Sequence, residues 1–273
     1  MPRVCILTDS TAQFTQADFP GHDRVHILPF GLQPSVLGGD DSLRGGASAC
    51  WLGAPSIQDF VGAYARLGQE YDSILVLVLS SLLNPTMKNA LAATMQYREH
   101  VTIEVVDSQT TAVGLGMLVQ EAAAAASAGV ALKDIVWKVR ESIPHIYMLL
   151  CIPDLRTLVQ SGYLDYSQAL AGEIMELMPV FTLEDGELVP TEKVRTPRHL
   201  FELFQEFLGE FETPEHIALV HGKYQAAIRT RPLRQHIRAA FPGTPFSEHS
   251  INPPLTALFG LRSTVLVIMD RSN

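Results

Sequence analysis

The sequence predicts an α/β protein of two domains. An N-terminal, mostly parallel sheet flanked by helices is expected over residues 1–143, and a smaller C-terminal α+β domain with a hairpin over residues 144–273. Three observations predict this. Short Val/Ile/Leu runs alternate with helical patterns through the first half, as buried parallel strands and their crossovers do. The rhythm changes after Pro144, where strands and helices no longer alternate one for one. An Asp185-Gly186 pair then sits between two strand-like runs, a strong short-range hairpin signal.

Strands are expected at residues 3–7, 25–30, 74–79 and 101–106, each an apolar run of strand length. Between them, "NPTMKNALAATMQYREH" spaces Met87, Leu91 and Met95 by four, with Asn84 placed to cap and Pro85 at the first helical position. "TAVGLGMLVQEAAAAASAG" reads as a helix stopped by Gly129. Its "GLG" at 114–116 points to close helix–sheet packing. "LKDIVWKVRESI" gathers Leu132, Ile135, Val136 and Val139 on one face. In the second half come a strand at "IYMLLCIP", a helical pattern around "DLRTLVQSGYL", the hairpin "PVFTLEDGELVPTEKV" and the amphipathic "LFELFQEFLGEF". Strands at "HIALVH" and "STVLVIM" follow.

With 273 residues, 47% of them hydrophobic and 18% charged, the chain has material for a packed core. A formal net charge of −9 argues against nucleic acid and against anionic membrane surfaces as partners. The longest apolar run, "ILVLVL" at 74–79, falls far short of the roughly 18 residues of a membrane span. Cys5, Cys50 and Cys151 are scattered and odd in number, which speaks against a disulfide framework or a zinc site and fits a reducing cytoplasm. Only four apolar residues precede Thr8-Asp9, too few for a signal peptide.

Phosphate-binding, dinucleotide-binding, nucleophile-elbow and zinc-protease motifs do not occur. No general base is paired with a nucleophile, so no catalytic residue and no metal ligand is named. What stands out is a repeated strand-Asp-Ser unit, "VCILTDSTAQFT" and "IEVVDSQTTAVGLG". Each is either an ordinary helix cap or a strand end converging on one site at the carboxyl edge of a sheet. "LSSLLNPT" at 79–86 adds a third polar strand end, a natural place for an anion.

The pieces "ILTDSTAQF", "HILPFGL", "PSIQDFVGAYARL", "YDSILVLVLSSLL", "VVDSQTTAVGLGMLVQEA" and "MPVFTLEDGELVPTEKVRT" resemble, in order and spacing, the DegV family nearly end to end. The resemblance implies a cytoplasmic bacterial carrier that binds a long-chain fatty acid, its tail in an apolar tunnel within the C-terminal domain (residues 144–273) and its carboxylate at the domain junction. It implies a separate fatty acid kinase subunit as partner and no cofactor beyond the bound lipid. The carrier itself would not be an enzyme.

Carried over one position at a time, the head-group pattern departs from the family. "LGAPS" puts Leu52, beside Gly53, where the family has a carboxylate-contacting threonine. "LNPT", following the paired serines that include Ser81, puts Asn84 in place of a serine. "SGYL" puts Tyr163 in place of an arginine, and Pro253 falls where a histidine is expected. These six residues are the expected lipid contacts. Arg156, Lys193 and Arg195 remain as cations able to approach from elsewhere. The competing expectation is an enzyme or kinase-like subunit acting on a small polar substrate, on a dihydroxyacetone-kinase-like fold. Its support is the hydroxyl-rich strand ends at Ser10, Ser81 and Ser108.

Overall fold

The computed structural model describes residues 3–34, 50–97, 101–222 and 230–271. Four parallel strands, β1 (Val4–Asp9), β2 (Val25–Leu28), β5 (Ser73–Val78) and β6 (Thr102–Asp107), form the first sheet in the order β2-β1-β5-β6. β1 and β5 are buried along nearly their whole length, which is why they appear as continuous apolar runs. Helices α1 (Ile57–Leu67) and α2 (Thr86–Gln96) cover one face, where Cys5, Leu7, Ile74 and Val76 pack against Phe60 and Tyr64. Ser56 and Asp59 close a capping box at the start of α1. A small hairpin of β3 (Gly31–Pro34) and β4 (Cys50–Gly53) stands apart from the sheet.

The other face is covered by α3 (Ala112–Ser127) and α4 (Leu132–Ser142). α3 is apolar on nearly every side, as a helix buried between two layers must be. The "GLG" motif explains how close it lies. A Cβ on Gly116 would stand 1.9 Å from the Gln13 carbonyl oxygen, so only glycine lets the chain after β1 cross the helix there. α3 ends as its sequence predicts. Gly129 takes φ +79°, its N–H reaches the Ala126 carbonyl, and the Val130 N–H reaches that of Ala125.

The second sheet has six strands: β7 (Ile146–Cys151), β8 (Met178–Glu184), β9 (Glu187–Val194), β10 (His216–His221), β11 (Phe246–Ser250) and β12 (Thr264–Met269). Their order is β11-β10-β12-β7-β8-β9, antiparallel except where β10 meets β11. α7 (Pro197–Leu208) and α8 (Thr230–Ala240) cover the outer face over Leu219, Leu266 and Ile268. α5 (Leu155–Gln160), α6 (Tyr166–Ile174) and α9 (Pro253–Phe259) lie on the inner side. One apolar cluster runs from Ile6 and Leu77 on the first sheet through α3 to Met148, Val220 and Val267 on the second. The two sheets therefore share a core across α3.

Two local expectations are corrected. β1 does not lead into a helix: a loop follows Asp9, because its side chain ties the chain to β5 instead of capping a helical turn. Asn84 does not cap α2 either. Its amide is drawn to the Leu52 carbonyl at 3.2 Å, and its oxygen accepts from Thr86 Oγ1 at 2.7 Å.

Candidate functional site

The three polar strand ends meet at the carboxyl edge of the first sheet. Asp9, at the end of β1, is fully buried. Its carboxylate accepts from the Leu79 N–H (2.7 Å), the Thr11 N–H (2.8 Å) and Thr11 Oγ1 (2.6 Å). Burial pushes this carboxyl above its usual range, and the three donors oppose that push without cancelling it. Asp107, at the end of β6, accepts from the Ser81 N–H at 3.2 Å through both oxygens and from the Gln109 N–H at 2.9 Å. β5 lies between β1 and β6, so the two Asp-Ser units grip the loop after β5 from either side. Neither motif is a helix cap; each is a cross-strand brace.

The loop they hold is saturated. The Ser80 N–H donates to Thr110, the Leu82 N–H to Ser80 Oγ, and the N–H groups of Leu83 and Asn84 to the Ser80 carbonyl. With Leu79 and Ser81 taken by the aspartates, every N–H from residue 79 to 84 has an acceptor within the protein. The Asn84 amide reaches into the β3–β4 hairpin at Leu52, which is 2% exposed and packed in the shared core; Gly53 beside it is also buried.

The second sheet closes over this edge through its hairpin. Asp185 (φ +49°) and Gly186 (φ +87°) make the tight turn between β8 and β9. Ser80 Oγ donates to the Gly186 carbonyl at 2.6 Å. A Cβ on Gly186 would meet Ser80 Oγ at 2.5 Å and Gln109 Cα at 3.2 Å. Gln109 and Ala112 themselves hold positive φ (both +52°), a locally strained passage from β6 into α3. From the other side Asn252, the N-cap of α9, donates to the Ser10 carbonyl at 3.1 Å, and Gln13 Nε2 donates to the Ser250 carbonyl at 2.8 Å.

The expected contact residues fall unevenly around this junction. Leu52, Gly53 and Asn84 are brought together by the Asn84 bond. Ser81 lies in the same loop with its side chain exposed. Tyr163 packs edge-on to Phe181 of β8 at a ring separation of 6.3 Å, within reach of the Leu188 backbone, and burial raises its phenol. Pro253 is exposed at the first turn of α9, a helix that packs on β4. The cations end up elsewhere. Lys193 and Arg195 line an open groove of about 580 Å³ with Met175, Leu177, Thr196 and His199. Arg156 faces Glu173 at 3.7 Å. Lys193 stands seven residues along β9 from Gly186, roughly 20 Å at strand rise.

The buried thiols of Cys5 and Cys151 are pushed up to about 12 by desolvation, which leaves them protonated and unreactive. Among the described residues, no three His, Cys, Asp or Glu side chains are grouped to hold a metal ion. No helix among them is long and apolar enough to cross a membrane. Sequence reasoning missed the roles of Ser80, Gly186 and Asn252. The Asp-Gly turn was visible as a turn, but nothing local to it announced its docking partner.

Fold and site together define a two-sheet α/β protein with a polar, hairpin-covered strand edge bordering a shared apolar core. The chain belongs to the DegV family: a family model described as "Uncharacterised protein, DegV family" matches residues 53–270. A DegV domain-containing protein of Staphylococcus aureus (strain COL) is 24% identical over 292 aligned positions, covering 99% of this chain and all of that protein. A fatty acid binding DegV family protein from Streptococcus agalactiae superposes with a TM-score of 0.81 at 20% identity, with both chains covered completely. The Fatty Acid Kinase (Fak) B3 protein of Streptococcus pneumoniae, loaded with linoleic acid, superposes with a TM-score of 0.79 at 17% identity, over 97% of this chain and 99% of that one.

Proposed function

We propose that this protein is a carrier that binds a long-chain fatty acid or a related single-chain lipid between its two sheets. The observation that carries this reading is the continuous apolar cluster shared by the sheets, bordered at one end by the polar strand edge. An acyl chain placed in such a layer gains roughly 0.8 kcal/mol per buried CH₂. The Streptococcus agalactiae protein of the same fold, described as fatty acid binding, and the Fak B3 protein, loaded with linoleic acid, support it. Leu52, Gly53, Ser81, Asn84 and Tyr163 are assigned to the head-group end, with Pro253 at its rim. The carrier would act in the cytoplasm without a cofactor of its own and hand its ligand to a separate kinase subunit, which would perform any phosphoryl transfer.

The competing reading, an enzyme acting on a small polar substrate, finds less support in the hydroxyls it relied on. Ser10 Oγ accepts from the Phe30 N–H, and Ser108 Oγ donates to the Thr110 carbonyl, both within the scaffold. Native mass spectrometry of protein purified from a bacterial host tests the proposal. An adduct of single-chain-lipid mass, lost on delipidation and regained with added lipid, is the expected result. Protein that is empty as purified and shows no thermal shift with any single-chain lipid would refute it.

A further inference from the structure

Resting on the lipid-carrier reading, we infer that the carboxyl head of the bound lipid is seated at the buried N-terminus of α3, against the hydroxyls of Thr8 and Thr111. α3 is a helix of 16 residues whose first turn lies inside the protein: Ala112, Val113 and Leu115 are 0% exposed. A helix leaves its first N–H groups without intrahelical partners, and a buried end is expected to carry a cap. This one does not. Thr111 stands at the N-cap but makes no side-chain cap bond, and the N–H groups of Ala112, Val113 and Gly114 have no acceptor among the described residues. Independently of the helix, the Oγ1 atoms of Thr111 and Thr8 are buried without a hydrogen-bond partner. Both residues are 0% exposed. Buried hydroxyls are as a rule paired, so two orphans beside an uncapped helix end call for a ligand that accepts.

Strand alternation brings Thr8 to this place. Val4 and Ile6 pack in the core shared with α3, whereas Cys5 and Leu7 face α1 and α2, so Thr8 follows Ile6 onto the α3 side. The chain leaving β1 then crosses the same turn, where the Gln13 N–H donates to the Ala112 carbonyl at 3.0 Å. A carboxylate offers about four lone-pair sites. The turn meets them with backbone N–H groups, two hydroxyls and the positive end of the helix dipole, which together offset the cost of burying the charge without any cation. Gln13 Oε1, also buried and unpartnered, offers only lone pairs and so turns the charged oxygens toward the helix. Ala112, Val113 and Leu52 belong to one apolar cluster, which lets the acyl chain pass from the seat directly into the shared core. Leu52 then borders the head group without having to donate to it.

The test removes one hydroxyl at a time from the delipidated protein, in Thr8→Val, Thr111→Val and, as a control, Thr264→Val. Thr264 Oγ1 is an equally buried orphan, but it lies on the side of β12 that carries Leu266 and Ile268, under the outer helices. Hexadecanoate affinity is read near neutral pH by displacement of a fluorescent lipid probe. The expected result is a loss of about tenfold for Thr8→Val and for Thr111→Val, as for one hydrogen bond to a charged group, and no change for Thr264→Val. Urea midpoints of the lipid-free proteins should hold or rise in all three variants, since valine removes an unpaired buried polar atom. Wild-type affinity in every variant, or an equal loss in all three, overturns the inference while leaving the carrier reading standing. Wild-type protein that binds neither the probe nor hexadecanoate overturns both. A second measurement needs no variant: the amide proton resonances of Val113 and Gly114 should move downfield when hexadecanoate loads the wild-type protein, and unmoved resonances overturn the seat.

Discussion

Ser80 and Gly186 join the two sheets through a single short bond, hydroxyl to carbonyl at 2.6 Å, buried from solvent. The donor lies in the loop just after β5, between the Leu79 and Ser81 N–H groups held by Asp9 and Asp107, and the acceptor is the apex of the β8–β9 hairpin. The bond therefore registers the hairpin against the strand edge that borders the proposed ligand site. Removing the hydroxyl in Ser80→Ala leaves a buried carbonyl without its donor and should cost about 1–3 kcal/mol. Gly186→Ala should cost more than the roughly 1 kcal/mol of a residue forced to positive φ, because its Cβ also strikes Ser80 and Gln109. Urea unfolding checks both: the midpoints should fall with the slope unchanged for Ser80→Ala.

Two glycines within helices should respond in opposite directions. Gly116→Ala would drive a Cβ into the Gln13 backbone at 1.9 Å, and neither backbone segment can yield without unpacking α3. A loss of about 3 kcal/mol or more is expected, at the upper end of overpacking. Gly62 sits on the exposed side of α1 with nothing within 4 Å of an added Cβ. Gly62→Ala should gain about 0.5–1 kcal/mol from helix propensity and a less flexible unfolded chain. Melting temperatures moving the same way would contradict the packing described for α3.

Much of the scaffold was legible in the sequence because its signals are local. Asp185-Gly186 specified its turn, Gly129 its helix end, and the runs around Ile6 and Val76 their buried strands. α8 escaped notice since only Leu233 and Ile237 of its eleven residues are buried, a stripe too narrow to stand out among arginines. β11 escaped because an edge strand reading FSEHS buries little and looks like loop. The site was half legible. Asp9 and Asp107 were recognised as strand ends, but their partners lie 70 and 26 residues away, and no spacing rule reports a bond to another strand's N–H. Asn84 misled for the same reason: its local neighbours suggested a cap, and a distant carbonyl at Leu52 claimed it.

Acidification should weaken the fold through His216. Its Nε2 and that of His249 both lie against Ser247 Oγ, at 2.8 and 2.9 Å, so one neutral ring accepts the hydroxyl hydrogen while the other donates to the oxygen. Burial, helped by His249, depresses His216 from 6.5 to about 4. The folded state thus refuses a proton that the unfolded state takes up once the pH falls below 6.5. This contribution is present above 6.5 and is lost as the pH drops toward about 4. His216→Gln should flatten the decline in urea midpoint across that window, and an unchanged slope would show that His216 does not carry it.

Asp9 should act with the opposite sign. Its carboxyl is raised above 3.8 by burial, so the unfolded chain releases this proton more readily than the folded one. The contribution is fully present below 3.8 and is lost as the pH rises through the elevated value. Asp9→Asn keeps an acceptor for the Leu79 or Thr11 N–H and carries no charge to desolvate. The stability of the variant relative to wild type should therefore improve as the pH is raised from about 4 toward neutrality. Paired urea titrations at each pH read the difference directly, and a difference that moves the other way would mean that the three donors outweigh burial.

Leu52→Thr places a hydroxyl where the strand edge now presents a buried apolar wall. The Leu52 carbonyl stays in place for Asn84, so the change isolates the side chain. Leu52 is 2% exposed within the shared core, and exchanging its branched end for a smaller polar group should cost about 1–3 kcal/mol. Leu52→Ala, which only removes volume, should cost about 2–5 kcal/mol and serves as the control for cavity formation. The two variants should part company on ligands. Threonine adds a donor at the head-group end and should improve hexadecanoate binding relative to hexadecanol, by about the tenfold that one hydrogen bond to a charged group provides. Alanine, with no donor, should leave that ratio where it was. If both variants change the ratio equally, the space at residue 52 governs head-group choice, and the polarity of its side chain does not.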